Sequence, residues 1–403
     1  MPTLADTSFQ PPFGLDARAD WPLDFSVAFL NHGSFGSVPH DVHAAAELCR
    51  QRVEAHPVDW FIRRAPEALR KAATDVAHLL GALPQNTGFV ANASAAANAV
   101  LRDIPLEKGD EILLLDQGYN AVKQTALHAA AQRGAVVREV KVPLPLLDGP
   151  MPVVAALEAA ITHRTRLAIL DQVTSPTALV LPIEKMVAVC TAKNVPVFVD
   201  GAHAPGMLET PAAIEGASWW TGNLHKWLCA PKGCAVLVVR EDLATTQHAP
   251  VISHGYNESY AEEFDWQGTR DLAPWLAAPA AIEFWNRYGG LQSVRERNHA
   301  CVITAQEYLL DRFQTQAYTP ADGSMLASMA TLPLPEPIKH HPDAKDCLAM
   351  NGLLFERFKV EVPVLEVGDD WATRISAQVY NAAEDYERLA DAIQTLCDEA
   401  SVS

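Results

Sequence analysis

The chain has 403 residues, 49% hydrophobic and 20% charged, with 31 Lys and Arg against 49 Asp and Glu for a formal net charge of -18. That length accommodates two domains, and the balance is that of an ordinary globular enzyme, which excludes disordered and fibrous classes. A charge so negative disfavours nucleic acid and anionic membrane as partners, because both are bound through basic patches that release counterions.

The N-terminus, MPTLADTSFQPPFGLDARAD, has neither the basic n-region nor the apolar h-region of a signal peptide, and no apolar run reaches spanning length. The expectation is a cytoplasmic protein whose residues 1–30 pack as an N-terminal segment near a smaller C-terminal domain. Seven cysteines, at 49, 190, 229, 234, 301, 347 and 397, lack paired metal spacing, and their odd count argues against a disulfide framework. Reduced thiols and no metal site are expected.

From about residue 85 to residue 240 short β-rich runs alternate with helical stretches, which predicts an α/β unit with a mainly parallel sheet wrapped by helices. The predicted strands are Gly88 to Val90, Glu111 to Leu115, Val136 to Val140, Leu167 to Leu170, Val195 to Val199, Ala217 to Trp220 and Ala235 to Val239. Ala93 to Arg102, Ala121 to Arg133, Val153 to Ala160 and Ile183 to Lys193 read as helices from their apolar spacing. This large domain is expected to span residues 31–275. Beyond it, Leu276 to Phe313 carries long helical patterns broken at Gly289-Gly290. The Pro-rich Thr331 to Pro342, a helix over Ala344 to Phe358, a strand over Val360 to Val367 and a final helix over Ala383 to Ala400 complete a smaller α+β domain, residues 276–403.

Several predicted strands end in polar groups on one rim. FVANASAAAN, Phe89 to Asn98, runs a strand into small residues and then a helix, so that bare N–H groups and the Ser94 hydroxyl sit at a helix N-terminus, a place suited to phosphate. Its plain alternative is an Ala-rich helix with a serine near its N-cap. Tyr119, in DQGYN after the next strand, stands where its ring can stack on a pyridine or simply pack in a turn. DQVTSPT, Asp171 to Thr177, brings the Thr174 hydroxyl to the matching position in a proline-stiffened turn. VPVFVDGAH, Val195 to His203, is a buried-type strand delivering Asp200 at its C-terminal end, where open α/β sheets keep their ligands, with His203 just beyond.

ASWWTGNLHKWLCAPKG, Ala217 to Gly233, places Lys226 in a polar turn among Trp219, Trp220, Trp227 and Leu228. Apolar bulk lowers a lysine pKa and favours the neutral nucleophile. A lysine and a strand-end carboxylate so arranged point to pyridoxal 5'-phosphate. The amine holds the aldehyde carbon as a Schiff base, and the carboxylate keeps the pyridine nitrogen protonated so that the ring can draw in a carbanion's electrons. Taken singly, Asp200 is equally a solvated turn acid and His203 a capped loop histidine.

VDGAHAPG followed by TGNLHKWLCAPKG resembles the class V aminotransferase branch of the fold type I pyridoxal-phosphate enzymes. Within that branch LNHGSFG (Leu30 to Gly36), FDWQGTRD (Phe264 to Asp271) and RISAQVYN (Arg374 to Asn381) resemble the isopenicillin N epimerase group. The resemblance implies that Lys226 carries the cofactor, Asp200 pairs with the pyridine nitrogen and His203 bonds the ring oxygen. It implies that Ser94, the Ala95 amide, Asn223 and His225 hold the phosphate, with Gly268 and Thr269 reaching in from the second subunit of a homodimer. Arg374 matches an arginine that grips the substrate α-carboxylate by a bidentate fork, the alternative being a surface salt bridge in an edge strand. Asn31 and His32 would lie in a loop over the substrate side, and Ser253 to Tyr256 in another.

The related cysteine desulfurases carry a loop cysteine shortly before the carboxylate arginine, whereas VEVPVLEVGDDWAT, Val360 to Thr373, has none. Persulfide chemistry is therefore disfavoured, and Cys347 belongs to a helical pattern. The expected activity is at the Cα of an amino acid or amino-acid conjugate, as an epimerase or racemase. A carbon–sulfur lyase acting on a cysteine conjugate or sulfoxide is the alternative, and an aminotransferase comes third. An epimerase needs an acid on the face opposite the lysine, for which His32 and Tyr119 are the candidates. A non-catalytic use of the fold would go with loss of Lys226 or Asp200, and both are present.

Overall fold

The computed structural model describes residues 13–402; the part of the expected N-terminal segment at 1–12 lies outside the described residues. Seven strands form the central sheet: β1 Thr87–Val90, β2 Glu111–Leu115, β3 Val136–Val140, β4 Thr165–Asp171, β5 Val197–Asp200, β6 Trp219–Asn223 and β7 Ala235–Val239. Their order is β1-β7-β6-β5-β4-β2-β3. Every pairing among β2 to β6 is parallel, while β7 runs antiparallel to both β6 and β1. All four residues of β5 are buried, as a strand covered by helices on both faces must be.

The chain steps outward from β2 to β3, then crosses back over β2 to β4 and continues to β5 and β6. Connections therefore leave β2 in opposite directions, which opens a crevice at the C-terminal ends of β2 and β4. Two boundaries differ usefully from expectation. β5 runs through Asp200 itself and β6 runs to Asn223, so that both polar residues are anchored in the ladder. The predicted helices are found at Ala93–Asp103, Asn120–Arg133, Met151–Ala160 and Ile183–Ala192. Two further helices, His40–Ala55 and Ala65–Leu80, fill a stretch given no assignment above, the second burying Leu69, Ala72, Ala73, Val76 and Leu80 along one face.

Leu276 to Phe313 is helical as expected, with Ala278–Phe284 and the long Gly290–Phe313 meeting at Gly289. The Pro-rich stretch is not all loop. Met329–Pro333 is a strand, β8, which forms a three-stranded antiparallel sheet with Val364–Val367 (β9) and Asp370–Ser376 (β10) in the order β9-β10-β8. Ala28–Phe29 pairs in parallel with Val360–Glu361, and Arg18 donates to both carboxylate oxygens of Asp385 at 3.0 Å. Among the described residues no helix is long and apolar enough to cross a membrane.

Candidate active site

Ser94, Tyr119, Asp200, His203, Asn223, His225, Lys226 and Arg374 line one cavity of about 290 Å³ at the crevice. The sheet explains the convergence. Asp171 and Asp200 end neighbouring parallel strands in register, Lys226 follows β6 by three residues, and Arg374 reaches over from β10.

Lys226 is buried, and its surroundings favour the neutral amine. Desolvation, reinforced by the nearby Arg374 charge and opposed by Asp200, brings its pKa from 10.5 down to about 7. His203 completes the arrangement. Trp227 Nε1, which can only donate, lies 3.3 Å from His203 Nδ1, so the ring proton of a neutral His203 sits on Nε2. That Nε2–H points at Lys226 Nζ at 3.2 Å and finds a lone pair only on an uncharged amine. Burial, with the Lys226 and Arg374 charges, keeps His203 neutral by lowering its pKa well below the usual imidazole range.

Asp200 accepts the Ala202 N–H at 3.0 Å, and among the described residues it has no side-chain cation within ion-pair distance. Burial raises its pKa against the pull of that N–H and of Lys226. Beside it Asp171, also buried, is raised further by its own desolvation and by the Asp200 charge. Two buried carboxylates facing one cavity do not both ionise readily, so the pair holds a proton more tightly than either acid would in water. A protonated pyridine nitrogen bound here would supply the positive partner that this pair lacks among the described residues.

At the other end of the cavity the helix Ala93–Asp103 presents its N-terminus. Ala93 N–H donates to Asn223 Oδ1 at 2.9 Å, and Ala95 N–H donates to the capping Asn92 Oδ1 at 2.9 Å. The N–H and hydroxyl of Ser94, between them, have no hydrogen-bond partner among the described residues, which suits a phosphate at a helix N-terminus. His225 donates through Nδ1 to the Cys234 carbonyl at 2.9 Å, leaving Nε2 as its second polar atom; burial lowers its pKa to about 4.

Arg374 lies on the central strand of its sheet, not an edge strand, and is 4% exposed. It has no carboxylate within ion-pair distance among the described residues. Its Nη1 donates to the Ser175 carbonyl and its Nη2 to Ser34 Oγ at 3.1 Å, while Nε is buried without a partner. Desolvation lowers even this guanidinium, to about 10. A buried cation that lines a cavity and has no acidic partner among the described residues is suited to an anion.

Other expected residues do not line the cavity. Ala95 has its amide taken by Asn92, and Thr174 spends its hydroxyl on Thr177 Oγ1 and the Leu179 N–H, both at 2.8 Å, locking its turn. Gly268 and Thr269 lie outside the cavity of this single chain, as does the Ser253 to Tyr256 loop. Asn31 sits behind Arg374, accepting from its Nη2 at 3.5 Å. His32 is fully buried beneath Lys226 and away from the cavity. In its place the same turn delivers Ser34 and the 74% exposed Phe35 to the cavity mouth. Ser175 and Asp171 also line the cavity; the polar run DQVTSPT signalled a site turn, but only register with β5 distinguishes Asp171 from its neighbours.

Residues 38–389 match the family model described as aminotransferase class-V. The chain is 34% identical to isopenicillin N epimerase of Amycolatopsis lactamdurans over 398 residues, covering 94% of this chain and 98% of that one. It is 29% identical to an L-cysteine desulfhydrase of Arabidopsis thaliana over 419 residues, covering 95% and 92% of the two chains. An apo cysteine desulfurase from Thermococcus onnurineus NA1 superposes with a TM-score of 0.77 over 97% of this chain and 99% of that one, at 18% identity, which speaks to the fold alone. By the family match and an identity above 30% across most of its length, the chain belongs to the class-V aminotransferase family of pyridoxal-phosphate enzymes.

Proposed function

We propose that this enzyme removes the Cα proton of an amino acid whose carboxylate rests on Arg374, with Lys226 as the base. The observation that carries this reading is the pairing, in one small cavity, of a buried lysine of lowered pKa with a buried arginine that has no acidic partner among the described residues. Bound pyridoxal phosphate supplies an electron sink for the pair left when the Cα–H bond breaks. The chain's own part is positional. Ser94, Asn223 and His225, which line the cavity, would hold the phosphate, Asp200 would face the pyridine nitrogen, and the His203 Nε2–H would orient the lysine amine.

After proton removal, loss of a sulfur substituent from Cβ is the fate we favour, because it asks for one base only. Epimerisation asks for an acid on the opposite face, and His32 lies outside the cavity. Tyr119, half-exposed at the cavity edge, sustains epimerisation as the second reading. Incubation with cysteine conjugates, followed by assay for pyruvate, ammonia and thiol against assay for the D-amino acid, separates the two. A persulfide route is disfavoured on the thiol nearest upstream of Arg374: burial pushes Cys347 up to about 11, far from the thiolate that sulfur transfer needs.

Arg374→Lys keeps the charge and loses the planar fork. It is expected to raise KM about 10- to 100-fold, the equivalent of about 1–3 kcal/mol for a charge-assisted pair, with a smaller change in kcat. An unaltered KM removes Arg374 from the substrate site.

A homodimer with shared sites completes the reading. Phe35, Val58, Ile62, Val251 and Ile252 are large apolar side chains left exposed in the single chain, and Gly268 and Thr269 would reach the partner's phosphate. Sedimentation is expected to show a dimer at assay concentrations. An active, cofactor-replete monomer is the contrary result.

A further inference from the structure

His32 is a buried imidazole that the proposed chemistry does not use, yet it touches the backbone of the lysine that does. Its Nε2 lies 3.1 Å from the Lys226 carbonyl and its Nδ1 2.7 Å from the Tyr380 hydroxyl. A carbonyl only accepts, so Nε2 carries the proton and Nδ1 accepts from Tyr380. Its ring packs against Trp227 at 4.8 Å between centroids, with Cys229 Sγ 3.7 Å from Nε2; the Gln378 amide nitrogen, 3.3 Å from Nε2, is itself a donor and makes no bond to this tautomer.

The lysine turn needs such support. It belongs to neither strand nor helix, and it ends at Cys229, a non-glycine residue held at φ 64. The segment bearing His32 closes over it tightly: a Cβ on Gly36, itself at φ 67, would stand 2.2 Å from the His225 carbonyl and 2.9 Å from that of Lys226. The same segment reaches the arginine. Gly33 N–H donates to Ser376 Oγ at 3.1 Å, Ser376 N–H donates to the Leu30 carbonyl at 2.9 Å, and Ser34 accepts from Arg374.

We infer that His32 is a positioning residue which, bridging Tyr380 and the Lys226 carbonyl, sets the lysine amine in register with the arginine that holds the substrate. This rests on the assignment of Lys226 as the cofactor lysine. Burial holds the imidazole neutral, at about 3, so the bridge keeps one tautomer throughout the working pH range. The groups facing the lysine amine are His203, Asp200 and Arg374, and a turn that slackens changes the amine's distance to all three.

The test reads the pH midpoint of the visible absorbance of cofactor-loaded protein, without substrate. His32→Leu, which removes both bonds, is expected to move that midpoint by at least about half a pH unit. Tyr380→Phe is expected to move it in the same direction by less, and the double variant by no more than His32→Leu alone. His32→Gln, able to donate to the carbonyl, is expected to stay near wild type. Tyr380→Phe keeps the test decisive should His32→Leu fail to fold. Midpoints unmoved in both overturn the inference, because a purely structural role would lower Tm and leave them in place. It is equally overturned if His32→Gln keeps its midpoint and loses Cα proton exchange, which would put His32 against substrate. Borohydride fixation and peptide mapping of wild type come first: a label away from Lys226 defeats the functional assignment itself, whereas a Lys226 label with unmoved midpoints defeats only the bridge.

Discussion

Lys226→Ala protein is expected to lose the visible absorbance of lysine-bound cofactor, to retain no cofactor after borohydride reduction, and to lose Cα proton exchange by at least about 1000-fold. On the proposed reading the amine would be both the attachment point and the nearest base, and its lowered pKa suits it to both near neutrality. Mapping of the reduced, labelled peptide checks the attachment; a label on another lysine sinks the assignment.

A stability measurement on cofactor-free protein adds an independent reading. The folded-state pKa of Lys226, about 7, lies below its unfolded value of 10.5, so the unfolded chain binds more protons across that window and wild-type stability rises with pH through it. Lys226→Met removes the penalty. It should be more stable than wild type by about 3–5 kcal/mol at pH 7 and below, with the gap closing toward pH 10.5. A gap independent of pH would mean that the lysine is not desolvated.

Asp200→Asn is expected to keep the fold and much of the cofactor affinity while slowing Cα proton exchange about 100- to 1000-fold. The amide matches the carboxylate in shape but carries no charge to stabilise a protonated pyridine nitrogen. Exchange into deuterated solvent, followed by mass spectrometry, measures the step directly. An exchange rate near that of wild type would show that Asp200 is not the group sustaining the electron sink. The substitution also removes the charge that adds to the desolvation of Asp171, so the Asp171 carboxyl should ionise at lower pH than in wild type.

Much of the site was legible because its residues are local to strand ends. VPVFVD and TGNLHKW are continuous stretches in which a buried run stops at a polar residue, and the parallel sheet turns that one-dimensional pattern into a common rim. The helix that offers Ser94 was likewise legible, since small residues after a strand write its N-terminus directly. The helices of residues 40–80 were not assigned. His40–Ala55 buries only Val42 and Ala46, so its sequence carries little of the apolar periodicity that marks a helix. Met329–Pro333 was obscured by the prolines that follow it, and its strand exists because β10 lies alongside.

The lysine–carboxylate pair and the order of strand-end groups follow from residue type and spacing along the chain, and the family from the resemblance of its motifs. The surroundings of each remaining polar residue became visible in the fold, because they depend on contacts between segments far apart in sequence. Thr174 and Ala95 have the residue types of a binding site, yet a neighbouring hydroxyl or cap uses them up within their own turns. His32 and Ser34 stand two residues apart in one polar turn. A single helical turn sends the first under the lysine to Tyr380, 348 positions along the chain, and the second to the cavity beside Arg374.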